Sequence, residues 1–192
     1  MRKPEAMSDS VRGLAPGSTV DLLHQERGQA AREVHGAQVW CPHGVPPLLQ
    51  TADYARCVLR SHALPQDMVE QLVDVRMMRV SQVAAQRHIP ARYEAVLTRT
   101  GYEHPPAGAT NQIMAQQWAQ LADLGALAHV RLRVLPAAEH HRGAGGLGGF
   151  SLYPDGSACT TGPEGPRPPL EGALVARERF AHLWQLSPPY PG

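Results

Sequence analysis

The chain has 192 residues, 43% hydrophobic and 18% charged, with a formal net charge of +1; that is enough apolar material for a core burying roughly 70% of the unfolded surface, and too little positive charge for autonomous nucleic-acid binding. No run of about 18 apolar residues would span a membrane, and the opening MRKPEAMSDS has no apolar stretch behind its basic residues, so it does not read as a secretory signal. Cys41, Cys57 and Cys159 are odd in number and scattered, which fits reduced thiols in a cytoplasmic protein.

Residues 1–17 are polar and aperiodic and are expected to form a disordered lead-in to a single domain over 18–188. Ser18 with Asp21 resembles a capping box ahead of Val20, Leu22, Leu23, Ala30 and Val34, which predicts a helix ending near His35-Gly36. The prolines of Cys41-Pro42-His43-Gly44-Val45-Pro46-Pro47 impose a rigid loop. Thr51 can cap a short helix, and Pro65 suits the first turn of a longer one to about Gln86. Tyr93 to Arg99 alternates as a strand, and Thr110 to Gly125 reads as a helix. Val130, Leu132 and Val134 alternate with Arg131 and Arg133 in a half-buried strand ended by Pro136. Gly149 to Tyr153 and Ser157 to Thr161 are further strand candidates, and a last helix covers about Gly172 to Leu186. The sum is an α+β fold: N-terminal helices packed on a small mixed sheet, with a further helix at the C-terminus.

The stretch Val45-Pro46-Pro47-Leu48-Leu49-Gln50-Thr51-Ala52-Asp53-Tyr54-Ala55-Arg56 resembles the signature "(V/I)PGLLQT..YAR" of an uncharacterised domain. That domain usually forms the C-terminal, effector part of actinobacterial XRE-type helix-turn-helix regulators, often encoded beside a small partner protein. Val75-Arg76-Met77-Met78-Arg79, Ile113 to Leu121, Val130 to Pro136 and Phe150-Ser151-Leu152 resemble its later motifs in order, so the likeness runs from about residue 20 to 186. Pro47 replaces the family's glycine, Trp118 a leucine, and Arg99 an acidic position. The segment before the first predicted helix is too short for a three-helix DNA reader, so DNA binding is not expected to carry over. What the resemblance implies is a domain that senses a ligand or a protein partner.

Stepping about 100° per residue from Val69 places Arg76 on the apolar stripe of the long helix, among Leu72, Val73, Val80 and Val83. A guanidinium there needs an acidic partner, with Glu33 and Glu94 as candidates, or a polar cavity receiving an anionic group. Arg99, beside Tyr102, Glu103 and His104, would either favour an anion or be an exposed strand-end charge. His129, Arg131 and Arg133 would form a basic stripe suited to an acidic partner or phosphate, or a solvated sheet face. Cys41 and His43 are spaced for a nucleophile–base pair or two zinc ligands, against a packed thiol and a surface imidazole, and have no matching local signature. The GxGxxG from Gly143 to Gly148 precedes a predicted strand, not a helix, which argues for a loop rather than a dinucleotide site.

The leading expectation is a stand-alone ligand- or partner-sensing domain whose pocket uses Gln50, Tyr54, Arg76, Arg79, Arg99, Tyr102 and Trp118. The alternative is an enzyme of small-molecule (natural-product) biosynthesis that recruited this fold, with acid/base chemistry by His140, His141 and Glu94. No cofactor and no metal are expected. The expected partner is a small molecule or a small protein, with homodimerisation a further option and with neither nucleic acid nor membrane engaged.

Overall fold

β1 (Gly36–Cys41), β2 (Arg92–Thr98) and β3 (Val130–Leu135) run parallel, while β4 (Gly149–Leu152) and β5 (Ala158–Thr161) are antiparallel additions, in the spatial order β3-β2-β1-β4-β5. In the computed structural model the described residues are 16–85, 91–139, 148–161 and 172–191. The helices are α1 (Pro16–Glu33), α2 (Ala52–Arg60), α3 (Gln66–Ala85), α4 (Arg99–Glu103), α5 (Asn111–Gly125), the single turn α6 (Ala137–Glu139) and α7 (Gly172–Leu186). Among the described residues no helix is long and apolar enough to cross a membrane.

Side-chain alternation along the strands sorts the core into two layers. One sheet face presents Val39, Ala95, Leu97 and Leu132 to Val83 of α3 and to Met114, Leu121 and Leu124 of α5. The other presents Trp40, Val96, Leu135 and Phe150 to Ala176, Phe180 and Leu183 of α7. On the first side α2 packs outside the sheet layer, with Ala55 and Leu59 against Val69, Leu72 and Val73 of α3. This is the α+β arrangement expected from the sequence: N-terminal helices on a mixed sheet and a last helix beyond it.

β1, α4 and the start of α1 differ from expectation. β1, the central strand, was not legible, because helices cover both sheet faces and its burial does not alternate. Its first residue, Gly36, has φ +107°, and a Cβ there would sit 2.6 Å from the Arg92 carbonyl oxygen. The second is α4: β2 ends at Thr98, whose hydroxyl accepts the Gly101 N–H at 2.8 Å and starts a helical turn. Arg99 therefore opens a helix instead of closing a strand. At the chain's start, α1 begins at Pro16, so Ser18 lies inside the helix rather than capping it.

Candidate functional site

The stretch from Val45 to Arg56 folds as a clasp in which most polar residues have a structural partner. Pro47 opens a single 3-10 turn that buries Leu48 and Leu49. Gln50 is buried, and its amide donates to the Val45 carbonyl at 2.7 Å. The Thr51 hydroxyl caps α2 by accepting the Tyr54 N–H. The Tyr54 hydroxyl accepts the Val45 N–H at 3.3 Å, which closes the loop on itself. From α5, the fully buried Gln117 accepts the Thr51 N–H and donates to the Leu49 carbonyl, both at 2.8 Å. Arg56 pairs with Asp53 at 2.8 Å and with Glu70 at 3.0 Å.

Beneath the clasp lies a buried network of two guanidinium and two carboxylate groups. Arg76 donates to Gln50 Oε1 and to Glu26 Oε1, each at 2.9 Å. Arg79 grips Glu33 with both ends of its fork, at 2.7 and 2.6 Å, and also bonds Glu26. Arg79 and Glu33 are each 2% exposed, so their charges are matched almost out of reach of water. Burial alone would raise the Glu26 carboxyl, but Arg76 and Arg79 outweigh it and hold Glu26 below its ordinary value. Desolvation opposes the charge on Arg79 as well, yet Glu33 and Glu26 keep it above the usual guanidinium range. The formal charges cancel. One donor, Arg76 Nε, is buried without a partner.

The sequence expectation for Arg76 is met in kind, a buried guanidinium with an acidic partner, and corrected in detail. Glu26 takes the place expected for Glu33 or Glu94. Glu33 holds Arg79 instead. Glu94 shares its strand face with Val96, on the α7 side of the sheet, where Gln38 donates to it at 2.8 Å and Arg131 stands 3.9 Å away. Four residue steps along β2, roughly 13 Å, also separate Glu94 from Thr98 and so from Arg99 beyond it, which keeps those two from acting on one atom. Glu26 was missed, although Glu26 and Glu33 are two helical turns apart and so share one face of α1.

Arg99 is 65% exposed and forms an i,i+4 pair with Glu103 at 2.8 Å. Tyr102 joins a surface aromatic cluster, 5.9 Å from the Trp118 ring and 5.7 Å from Tyr190. The structure thus gathers Gln50, Tyr54, Arg76 and Arg79 into one buried group and Tyr102 with Trp118 into another; Arg99 and Glu94 join neither. His140, His141 and the run from Gly143 to Leu147 lie outside the described residues. Desolvation pushes the Cys41 thiol up to about 12, against the opposing pull of the His43 backbone N–H, which favours the protonated thiol near neutral pH. Among the described residues no cluster of His, Cys, Asp or Glu could hold a metal ion.

A groove of about 570 Å³ runs along the outer edge of β3, between α5 and α7. Ala122 and Gly125 of α5 and the capping Ala126 form one small-residue wall, and Trp184 and Tyr190 provide aromatic surface. Arg131 and Arg133 line it from β3. Arg133 lies over the Trp184 ring, 4.5 Å from its centroid, and its Nη1 donates to the Trp184 and Ser187 carbonyls at 2.8 Å. The stripe foreseen over His129, Arg131 and Arg133 is broken at its first member, because His129 bonds the Val83 carbonyl and packs edge-on against Tyr93. The C-terminal segment borders the groove: Pro188 accepts the Val134 N–H and Tyr190 donates to the Leu132 carbonyl.

The model of a family described as "Domain of unknown function (DUF5753)" matches residues 21–157. No curated protein and no solved structure matches the chain. The family match takes in the clasp, the arginine network and the whole sheet core up to β4, and on that extent the chain belongs to the DUF5753 family.

Proposed function

We propose that this protein is a recognition domain, akin to the effector half of actinobacterial XRE-type regulators, that takes up a small molecule or a small protein and makes no DNA contact of its own. One observation carries the reading: the arginines of the 75–79 stretch are consumed in a neutral, buried network, whereas an aromatic-walled groove at the β3 edge stands open. The groove's volume lies within the range of about 300–1,000 Å³ usual for small-molecule sites. Its Trp, Tyr and Arg content is the composition of binding hot spots. The Cys41 thiol and the Tyr54 phenol are both pushed up to about 12, chiefly by burial, and stay protonated near neutrality.

Native mass spectrometry of the protein purified from its own host tests the reading. The expected spectrum carries a retained small molecule or subunit, and that added mass disappears when Ala126→Leu fills the groove. A bare chain from both proteins, with no added mass under gentle conditions, would contradict it.

A further inference from the structure

Building on the recognition reading, the geometry points to the class of ligand: we propose that the β3-edge groove binds a carboxylate carried on a flat apolar body, with Arg133 as the group that reads the carboxylate. Arg133 is half-buried and fixed in place. Trp184 stacks beneath it, and its Nη1 is committed to the two carbonyls at the end of α7. A guanidinium carries five donors, and the Nε–Nη2 side of this one bonds no described residue. Neither atom is among the described buried donors that lack a partner, unlike Arg76 Nε, and Arg133 lines the groove. No described carboxylate lies within 4.0 Å of this guanidinium, while Arg76, Arg79, Arg56 and Arg99 each have one.

A planar pair of parallel N–H donors with no counter-charge among the described residues is the complement of a carboxylate, which takes both bonds at once. Arg131 projects from the same strand face two residues earlier, about 7 Å away along the strand. It is 56% exposed and shares Glu94 only at 3.9 Å, so it adds positive potential at the groove's solvent side. Glu94 itself is engaged by Gln38. The apolar body of the ligand would lie against Tyr190 and the edge of the Trp184 indole, whose ring already stacks on Phe180 and under Arg133, along Ala122, Gly125 and Ala126, whose small size leaves room for a ring.

The probes are 2-naphthoate and indole-3-acetate, each compared with its own uncharged carboxamide. The readout is the indole N–H resonance of Trp184 in the intact chain, assigned by its loss in Trp184→Phe among the signals of Trp40, Trp118 and Trp184. The expected result is a saturable shift of the Trp184 signal by the acids, with the amides about tenfold weaker or more. Arg133→Gln should erase the difference between acid and amide, and Arg131→Gln should reduce it less. Ala126→Leu, at an exposed position on the groove wall, should block both probes without touching either arginine. Equal binding of acid and amide would overturn the carboxylate assignment while leaving a recognition groove. So would acid selectivity that persists in Arg133→Gln. No shift of Trp184 with any probe also overturns it, and if native mass spectrometry then shows a bound protein subunit, the recognition reading survives with a protein as its object.

Discussion

Arg76 and Arg79 sit three residues apart on one helix and share the Glu26 carboxylate, yet removing them should not cost the same. Arg79 is gripped by Glu33 through two bonds and also reaches Glu26, whereas Arg76 shares Glu26 with a neutral amide. Arg76→Met leaves Glu26 still paired with Arg79, and is expected to cost about 1–3 kcal/mol in urea unfolding, the range for a buried polar group that loses part of its bonding. Arg79→Met strands Glu33 in the core and is expected to cost about 3–5 kcal/mol. A reversed order would mean that Glu33 is not the ion held most tightly. Glu26 contributes to the response to acid. Its folded pKa lies below the ordinary 4.5, so the unfolded chain takes up the proton first as pH falls. The stabilisation is then complete above about pH 4.5 and is lost as pH drops through the depressed folded value. Urea midpoints measured from pH 6 to pH 3 should fall on the acid side, and Glu26→Gln should flatten that fall while lowering the plateau.

At the scale of elements, the contact between α4 and the loop after β1 is the tightest in the clasp region. A Cβ on Gly101 would lie 2.4 Å from the Gly44 nitrogen and 3.0 Å from the Pro42 carbonyl oxygen, both backbone atoms that cannot swing aside. Gly101→Ala is therefore expected to lower the melting temperature by several degrees, as roughly 1–3 kcal/mol of strain would in a domain of this size. It should also shift the Trp118 indole resonance, since Tyr102 moves with α4; an unchanged melting temperature would contradict that packing. The elements that were legible in sequence share a local signal. Thr51 and Thr110 cap their helices as read, and β3 shows its alternation because its outer residues border the groove. β1 gave no such signal, since a strand covered on both faces has no wet side to mark a period of two. α4 was hidden because five residues carry too little periodicity to override a preceding strand pattern. The site was half legible. Arg76 was placed on the buried stripe by helical phase alone, but its partner Glu26 and the groove residues Trp184 and Tyr190 depend on how distant segments pack, which no local pattern encodes.

For the whole molecule, the C-terminal segment and the buried network solve complementary problems. β3 is a sheet edge, and Pro188 to Tyr190 cover its Val134 N–H and Leu132 carbonyl with a proline-rich strip that ends further pairing. Truncation after Ser187 should expose that edge and give concentration-dependent self-association in light scattering, whereas a truncated chain that stays monomeric would show the strip is dispensable as an edge guard. The network acts across the opposite layer, tying α1 to α3 and, through Gln50, to the clasp, so that the residues most suggestive of a binding pocket in sequence act as a brace. A double-mutant cycle on Arg79→Met and Glu33→Leu, followed by urea unfolding, tests this most directly. Each single change should cost about 3–5 kcal/mol, and the double change should cost less than their sum by roughly 1–3 kcal/mol. Singles that each cost under about 1 kcal/mol, with additive effects in the double, would contradict the brace and return the two arginines to the list of candidate ligand-binding groups.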